Sequence, residues 1–483
     1  MTTPDDLVIF GGGPAACAAA MLLRRLGYPV VLMTRPHDAE RPDLCVSMTP
    51  SCSKVFAVVG LLDAVTAANL PASAGNTVWW GSEEPRVEPF GGEGRGWQVS
   101  LRQLEAAVHP ALQAAGVRLV SRTVTSDEAA SLPARFRLDG TGRTGVLAKR
   151  LAGRRWTSPH RTVALSAIWD AGRAWALPDA SHTLVEGYPD GWAWSVPAGG
   201  DRRVVAVMVD PQASGLLRGT GAREVYTHEL GKTRVFRHLI GTAQLVDGPT
   251  GWDASEYCAT NYAGSDWLVM GDAATFVDPL SSSGVKKALT SGWLAAVTVH
   301  TSLLDPSRAR LAQDFFAARE QDMFDQLQRL TRQFLAAGTP GAAGAFWRDR
   351  GTVSDETSAD DGRVAVEHAW QRIRTAERLH LRPGDLSWTE HPAVRGMEIV
   401  PEWRLASPTH SEGLRFLQNV DLRALIEITP HHDEVPGLYS SYCRQAGPVG
   451  WPAFLTALST AVARGWLRWD DTPMVNVHDT AIR

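Results

Sequence analysis

The sequence predicts an α/β fold in which a Rossmann-type sheet is interleaved with an antiparallel sheet and followed by helices and a small C-terminal domain. Three observations lead to this fold class. A glycine-rich turn joins an apolar run at residues 7–10 to a helix, alternating strand patterns fill residues 161–265, and a helical pattern occupies residues 291–337. The 483 residues are sufficient for two or three domains.

The composition limits the classes of protein to which the chain can belong. Hydrophobic residues make up 44% and charged residues 21%, as in globular proteins, and the net charge is −4. Binders of nucleic acid or of anionic membranes need a basic excess, so we expect neither kind of partner. We also expect no secretory signal and no transmembrane helix. Five scattered cysteines without metal-ligand spacing predict reduced thiols, a cytoplasmic protein and no metal site.

The glycine-rich turn has the pattern of a dinucleotide-binding site. Gly11 allows the tight turn after the first strand, Gly13 lets backbone N–H groups approach a pyrophosphate, and Ala16 allows close packing of helix and strand. The start of the helix adds the positive end of its dipole. The predicted nucleotide contacts are Gly11, Gly13, Pro14, Ala15 and Ala16.

The end of the second strand departs from the usual Rossmann pattern. An aspartate or glutamate commonly binds the ribose there, but this chain reads Met33-Thr34-Arg35. Thr34 could accept the ribose contact in its place. Arg35 could stack or pair with a phosphate, or it could be a solvated strand end, and the sequence leaves both readings open.

Two later segments resemble elements of FAD-dependent monooxygenases. Residues 139–143 read Asp-Gly-Thr-Gly-Arg and resemble the D-x-T-G-R element, and residues 271–284 resemble the G-D-A…P…G element. The resemblance implies FAD as the cofactor, a contact at Asp139, and a bond from Asp272 to a ribityl hydroxyl. It also implies a helix whose positive end faces the flavin edge that becomes anionic on reduction. The further implied contacts are Pro279, Ser283, Gly284 and Val285.

Other stretches resemble flavin-dependent halogenases and their monooxygenase relatives. They are residues 46–61, residues 96–105 and the Trp192–Trp194 stretch, which resembles a W-x-W-x-I-P signature. The resemblance implies that Arg102 approaches the flavin, or Leu101 if the alignment slips by one. Halogenases use a lysine to receive hypohalous acid. Residues 62–99 contain no lysine, and Lys54 is a weak candidate because a position on the solvated face of its helix is the favoured reading.

Residues 186–210 and 278–284 are more similar to flavoproteins that oxygenate a tryptophan inside a protein to build a tryptophylquinone cofactor. Members act on quinohemoprotein amine dehydrogenase and on lysine ε-oxidase. The resemblance covers residues 5–350 and implies an FAD monooxygenase that hydroxylates an indole through a flavin C4a-hydroperoxide. It implies a protein or peptide substrate bearing a tryptophan, with electrons from NAD(P)H or a separate reductase. Asp278 is a weak catalytic candidate, and a helix cap is the alternative role.

Two alternative functions remain open from the sequence. One is a halogenase that uses Lys54, and the other is a non-catalytic, flavin-bound scaffold for a partner protein.

Four tryptophans are candidates for the wall of an indole pocket. Trp192 and Trp194 share one face of a strand while Ala193 points away, and Trp79 and Trp80 lie on an earlier strand of the same sheet. These side chains could instead pack the sheet against a helix, which is the slightly favoured reading, and the sequence leaves both readings open.

The patterns divide the chain into four parts. The C-terminal part has three helical runs and a glycine turn into a strand at residues 464–469, which resembles a winged helix. It could dock a protein substrate, or act as a structural lid or dimer surface. The predicted parts are an FAD-binding domain (1–75, 97–160 and 255–300), a substrate-side sheet domain (76–96 and 161–254), a helical region (301–390) and a small C-terminal domain (391–483).

Overall fold

The computed structural model describes residues 2–36, 43, 45–91, 94–338, 344–350, 359–407 and 410–469. The chain divides into two compact units. Unit 1 comprises Met1–Val353 with Gly396–Ile399, and unit 2 comprises Ser354–Arg395 with Val400–Arg483.

Unit 1 contains two large sheets and ten helices among the described residues. Its strands are β1 (Leu7–Phe10), β2 (Val30–Thr34), β3 (Cys45–Met48), β4 (Ala72–Ser73), β5 (Gly75–Trp79), β6 (Arg86–Pro89), β7 (Gly96–Ser100), β8 (Arg118–Ser121), β9 (Phe136–Asp139), β10 (Arg154–Trp156), β11 (Val163–Asp170), β12 (Thr183–Tyr188), β13 (Gly191–Gly199), β14 (Arg202–Val209), β15 (Gln244–Asp253), β16 (Tyr257–Ala259), β17 (Trp267–Val269) and β18 (Thr275–Phe276). Its helices are α1 (Pro14–Arg25), α2 (Cys52–Val59), α3 (Leu62–Ala67), α4 (Leu101–Ala114), α5 (Ser126–Ser131), α6 (Ala222–Lys232), α7 (Val235–Leu239), α8 (Gly284–Leu304), α9 (Ala309–Ala337) and α10 (Ala345–Arg350).

The first large sheet is parallel and has the predicted Rossmann-type connection. Its order is β17-β9-β1-β2-β8, so β1 lies at the centre and every residue of β1 is buried. A central parallel strand is covered on both faces, which is why β1 and β2 are continuous apolar runs. The carboxyl ends of β1, β2 and β9 meet at one edge, where open α/β sheets bind their ligands.

The second large sheet is the predicted antiparallel one. Its order is β15-β11-β14-β13-β12-β5-β6, and all neighbours are antiparallel except β12 and β5. One face packs Ala193, Leu184 and Tyr188 into a core with α6 and α7, and the other face carries Trp192 and Trp194. The predicted sharing of a face by Trp192 and Trp194 is therefore confirmed.

The helical region predicted at residues 301–390 does not form one unit. Helices α8 and α9 belong to unit 1, where α8 packs against α1 and α9. The next long helix, α11 (Ala359–Thr375), belongs to unit 2 and packs against its last helix. Helical periodicity alone could not show this division, because it reports which side of a helix is buried and not which core buries it.

Unit 2 has its own hydrophobic core, built around Leu425, Leu438, Phe454 and Trp466. The predicted helices are present, and the last strand pairs antiparallel with a strand that precedes the helices. The residues that would form a wing after it lie outside the described residues. The remaining elements are α12 (Leu422–Ile428), α13 (Val435–Ala446), α14 (Trp451–Ala463), β19 (Leu381–Pro383), β20 (Ser387–Arg395), β21 (Glu398–Ser407), β22 (His410–Leu414), β23 (Phe416–Leu417), β24 (Val420–Asp421) and β25 (Leu467–Trp469).

We predict that Gly11→Ala destabilises the protein, whereas Gly13→Ala does not. Gly11 has φ +109°, and a Cβ there would lie 2.3 Å from the carbonyl oxygen of Gly140. The strained backbone alone costs about 2 kcal/mol. Gly13 has φ −77°, and a Cβ there would meet no atom within 4 Å. Urea denaturation of the two FAD-free variants measures the difference, and equal midpoints would contradict this account of the turn.

Candidate functional site

The turn between β1 and α1 fits a pyrophosphate. Helix α1 starts at Pro14 behind Gly13, whose extended backbone caps the helix without any side-chain hydrogen bond. The N–H groups in the first turn of α1 therefore remain available to donate hydrogen bonds to a ligand. The space beside the Gly13 Cα is open. Uncapped N–H groups at a helix start bind phosphate oxygens through direct hydrogen bonds and the helix dipole.

A carboxylate that the sequence reasoning did not assign lies near the end of β2. A Cβ at Gly12 would lie 2.9 Å from Oε1 of Glu105 on α4 and 3.2 Å from Cγ2 of Thr34. Glu105 thus brings an acid to the place where a Rossmann strand usually carries one, although β2 has none. Arg35 is exposed, as expected for a solvated strand end. The acidic position in the halogenase-like stretch at residues 96–105 was the signal that could have identified Glu105.

A small cavity beside the glycine turn bears on the two alternatives for the flavin-facing residue of α4. The residues from α4 that line it are Leu101, Leu104, Glu105 and Val108. Arg102 is not among them, and its backbone N–H donates to the carboxylate of Asp43, 3.3 Å away. Leu101 therefore lies beside the glycine turn, and the FAD contact of Arg102 remains a prediction.

Asp139 organises its own loop, which differs from the contact role expected of it. Its Oδ1 accepts hydrogen bonds from the N–H and hydroxyl of Thr141, and its Oδ2 accepts from the N–H groups of Leu147 and Ala148. The side chain is fully buried. A carboxylate that already accepts four hydrogen bonds holds the loop against the sheet, and it has little capacity left for a ligand.

Asp272 lies in a tight turn between β17 and β18, and about one third of its side chain is exposed. Its Oδ1 is 3.1 Å from the ammonium of Lys287, a buried lysine that the sequence reasoning missed. The hydroxyl of Tyr257 donates to the backbone carbonyl of Asp272. The position of Asp272 is therefore fixed on two sides while its carboxylate stays open to a ligand hydroxyl.

The segment between this turn and α8 has a second helix start without a side-chain cap. Ser283 occupies the cap position of α8 but bonds no N–H of the first turn, and a Cβ at Gly284 would meet nothing within 4 Å. Val285 is buried and holds the first turn in the core, and Pro279 begins a short helical turn before it. This geometry suits the negative edge of a bound flavin.

Asp278 combines the predicted capping role with a raised pKa. Its Oδ1 accepts the N–H of Leu280 at 3.0 Å, so the capping role is present. Burial, together with the nearby carboxylate of Glu256, raises the pKa of Asp278 to about 7, while the Leu280 N–H and Arg350 act in the opposite direction. The indole N–H of Trp192 also lowers this pKa, although no hydrogen bond of normal geometry joins the two groups.

Three tryptophans pack edge to face beside Asp278. The ring of Trp80 lies 6.3 Å from Trp192 and 5.2 Å from Trp347 of α10. Trp192 is 1% exposed, so it is a packing residue, whereas Trp80 and Trp194 are half-buried. We refer to Trp80, Trp192, Trp194 and Trp347 as the tryptophan cluster.

Trp79 does not belong to the tryptophan cluster, in contrast to the prediction that grouped it with Trp80. It packs into the core on the opposite face of the sheet, near Tyr188 and Leu184. Trp79 is the last residue of β5 and Trp80 follows it, and the two side chains pack into cores on opposite faces of the sheet, so they do not line the same wall.

Each of the five lysines is either exposed to solvent or paired with carboxylates. Lys54 is exposed on α2, and Lys149 and Lys286 are exposed as well. Lys232 is paired with Asp190 and Glu229, and Lys287 is enclosed by oxygens of the Asp272 turn. The exposed position of Lys54 supports the solvated-helix reading of that residue.

Comparisons with known proteins agree with this architecture. No family model matches the chain. It is 23% identical over 358 residues to tryptophan 2-halogenase from Chondromyces crocatus, which covers 67% of this chain and 66% of the relative. It is 25% identical over 342 residues to flavin-dependent halogenase armH3 from Armillaria mellea, which covers 62% of this chain and 68% of the relative. The matches thus span about two thirds of each relative.

Solved structures extend the likeness to nearly the whole chain. The flavin-dependent halogenase CmlS superposes with a TM-score of 0.75 at 18% identity, over 97% of this chain and 96% of CmlS. This chain has the halogenase-like flavoprotein fold. The peptidyl tryptophan dihydroxylase QhpG, which is essential for tryptophylquinone cofactor biogenesis, superposes with a TM-score of 0.62 at 23% identity, over 94% of this chain and 98% of QhpG.

The halogenase-like fold and its relatives imply FAD as the cofactor. The open glycine turn and the two uncapped helix starts fit that group. Within the part of the chain that the structure describes, no cluster of side chains could hold a metal ion, and no helix is long and apolar enough to cross a membrane.

We predict that Asp278→Asn flattens the dependence of stability on pH. The pKa of Asp278 is about 7 in the folded state and 3.8 ordinarily. The contribution of Asp278 to the free energy of unfolding is therefore full below pH 3.8 and is lost as the pH rises through 7. The loss amounts to at most about 1.4 kcal/mol per pH unit. Chemical denaturation of the FAD-free protein from pH 5 to pH 8 measures this loss. The exposed control Asp201→Asn should follow the wild-type protein, and an unchanged slope in Asp278→Asn would contradict the account.

Proposed function

We propose that this protein is an FAD-dependent monooxygenase that hydroxylates the indole ring of a tryptophan in a protein or peptide, during tryptophylquinone cofactor biogenesis. The observation that carries the proposal is the buried Asp278 carboxyl, whose pKa is about 7, beside the tryptophan cluster. A group that binds and releases a proton near neutral pH suits a step in which the ring loses a proton.

Each group of the chain has a defined part in this chemistry. FAD, when bound, supplies an electrophilic oxygen atom derived from O₂, and the second oxygen atom leaves as water. Asp278 accepts the proton that leaves the ring carbon when the carbon–oxygen bond has formed. Glu256, whose carboxyl lies 3.5 Å from the Asp278 N–H, keeps the pKa of Asp278 high, and Arg350 limits that rise.

A protein substrate is favoured by the likeness to QhpG because QhpG is a peptidyl tryptophan dihydroxylase, whereas the extent of the likeness is shared with the halogenase CmlS. That likeness includes unit 2 and reaches almost the full length of both chains. We infer that unit 2 helps to bind the substrate protein and that NAD(P)H or a separate reductase supplies two electrons per oxygen inserted. The five free cysteines support a reducing, cytoplasmic location.

Halogenation of an aromatic ring is the second candidate function, because the curated relatives include tryptophan 2-halogenase and armH3. It requires an amine that receives the hypohalous acid. Lys54 is the lysine that the sequence left for this role, and it is exposed on α2. If the protein is a halogenase of this kind, Lys54→Ala abolishes chloride-dependent product and leaves FAD bound.

The decisive experiment is the intact mass of three substrates after incubation with the protein, FAD, a reductant and air. The substrates are a tryptophylquinone-precursor subunit, a tryptophan peptide and free tryptophan. We expect the precursor subunit to gain one or two oxygen atoms. Gain of chlorine in the presence of chloride, or oxidation of free tryptophan alone, would overturn the proposal, and an unchanged mass of all three would support a non-catalytic scaffold.

We predict that Asp278→Asn lowers the rate of oxygen insertion by about 100-fold or more, because an amide cannot accept the ring proton. FAD affinity should remain within about twofold of wild type, since the amide can still cap Leu280. Single-turnover kinetics on the precursor subunit and FAD titration measure the two quantities. Asp201→Asn serves as the matched control, and an Asp278→Asn enzyme with the wild-type rate would exclude Asp278 as the base.

A further inference from the structure

Lys287 is a lysine buried where a helix of this fold packs against the core. It lies on α8 and is 3% exposed. Its ammonium lies 3.0 Å from the hydroxyl of Thr275 and 3.1 Å from Oδ1 of Asp272, and it donates to the carbonyl oxygens of Thr275 and Gly271. A buried ammonium is stable only when it is paired and hydrogen-bonded, and these four oxygens meet that requirement.

All four oxygens belong to residues 271–275, which are the turn that carries Asp272 and the first residue of β18. Ser291, one helical turn after Lys287 on α8, accepts the N–H of Gly271 at 2.8 Å. Helix α8 therefore holds this segment at two points. Ser291 binds Gly271, and Lys287 binds Asp272 and Thr275. The turn also packs on α1, since a Cβ at Gly271 would lie 3.0 Å from the Cβ of Ala15.

A second carboxyl approaches this network from α9. Glu320 is fully buried, and neither of its oxygens has a hydrogen bond of normal geometry among the described residues. Burial raises the pKa of Glu320 to about 7, against the opposing effects of Ser291 and Lys287. Asp272 is about one third exposed and forms the 3.1 Å ion pair with the ammonium. Asp272 is therefore the carboxylate that pairs directly with Lys287.

We propose that Lys287 is a positioning residue for FAD, which orients the Asp272 carboxylate and the turn around it for the ribityl chain of the cofactor. The ammonium binds Oδ1 of Asp272, and the exposed part of the carboxylate remains for a ligand hydroxyl. The inference depends on FAD as the cofactor and is independent of which reaction the protein catalyses.

Lys287→Met separates the charge from the packing. Methionine has a similar length and fills a buried site, but it cannot hold the Asp272 carboxylate. We expect the Kd of FAD, measured by flavin fluorescence, to rise at least tenfold, which corresponds to about 1.4 kcal/mol. Lys149→Met makes the same change of charge at an exposed site and should bind FAD as the wild type does. An unchanged Kd in Lys287→Met would overturn the proposal.

A double-mutant cycle with Asp272→Asn distinguishes positioning from a purely structural role. If Lys287 acts through Asp272, Lys287→Met raises the Kd of FAD much less in the Asp272→Asn background than in the wild type. Equal fold-changes in both backgrounds, with a lower melting temperature of the FAD-free protein, would show that Lys287 only stabilises the fold.

Thr275→Val provides a milder variant if Lys287→Met does not fold. It removes one of the four oxygens around the ammonium and nearly preserves the side-chain volume. A threefold or larger rise in the Kd of FAD would support the proposal, and no rise would overturn it. Because each readout is cofactor binding, failure here leaves the proposed hydroxylation untouched, and failure to oxidise any substrate leaves the role of Lys287 untouched.

Discussion

The close approach of backbone to backbone at the carboxyl edge of the parallel sheet is the constraint on which the rest of the site depends. Gly11 turns directly over Gly140, leaving no room for a side chain between them. Helix α8 packs as tightly on α1, since a Cβ at Gly292 would lie 2.2 Å from the carbonyl oxygen of Ala15. These contacts bring the β1–α1 turn, the Asp139 loop and the start of α8 to one edge, where an extended dinucleotide can contact all three.

Burial of ionisable groups near this edge of the sheet has two different consequences. Where the partners are complete, as for Lys287 with Asp272 and Thr275, the charge fixes a turn in place. Where they are incomplete, as for Asp278, burial makes the carboxyl retain its proton up to near neutral pH. The first arrangement suits cofactor binding and the second suits proton transfer, which are the roles proposed for Asp272 and Asp278.

Much of the architecture could be predicted because it depends on local patterns. The apolar runs of β1 and β2, the glycine turn and the alternation that puts Trp192 and Trp194 on one face all follow from strand and turn geometry. The helices of unit 2 could be predicted for the same reason. The partners of these helices could not be predicted, and the predicted helical region at residues 301–390 therefore combines α11 with helices that belong to unit 1.

Sequence by itself determined the fold class and the cofactor, because both depend on motifs of a few neighbouring residues. Only the tertiary structure decided what the individual side chains do. It showed that Asp139 holds its own loop, that Leu101 lines the cavity beside the glycine turn, and that Trp79 faces away from Trp80. It also revealed Glu105 and Lys287, whose roles come from contacts with residues distant in the chain. Such contacts, and the burial that shifts a pKa, exist only once the elements have packed, and no local pattern records them.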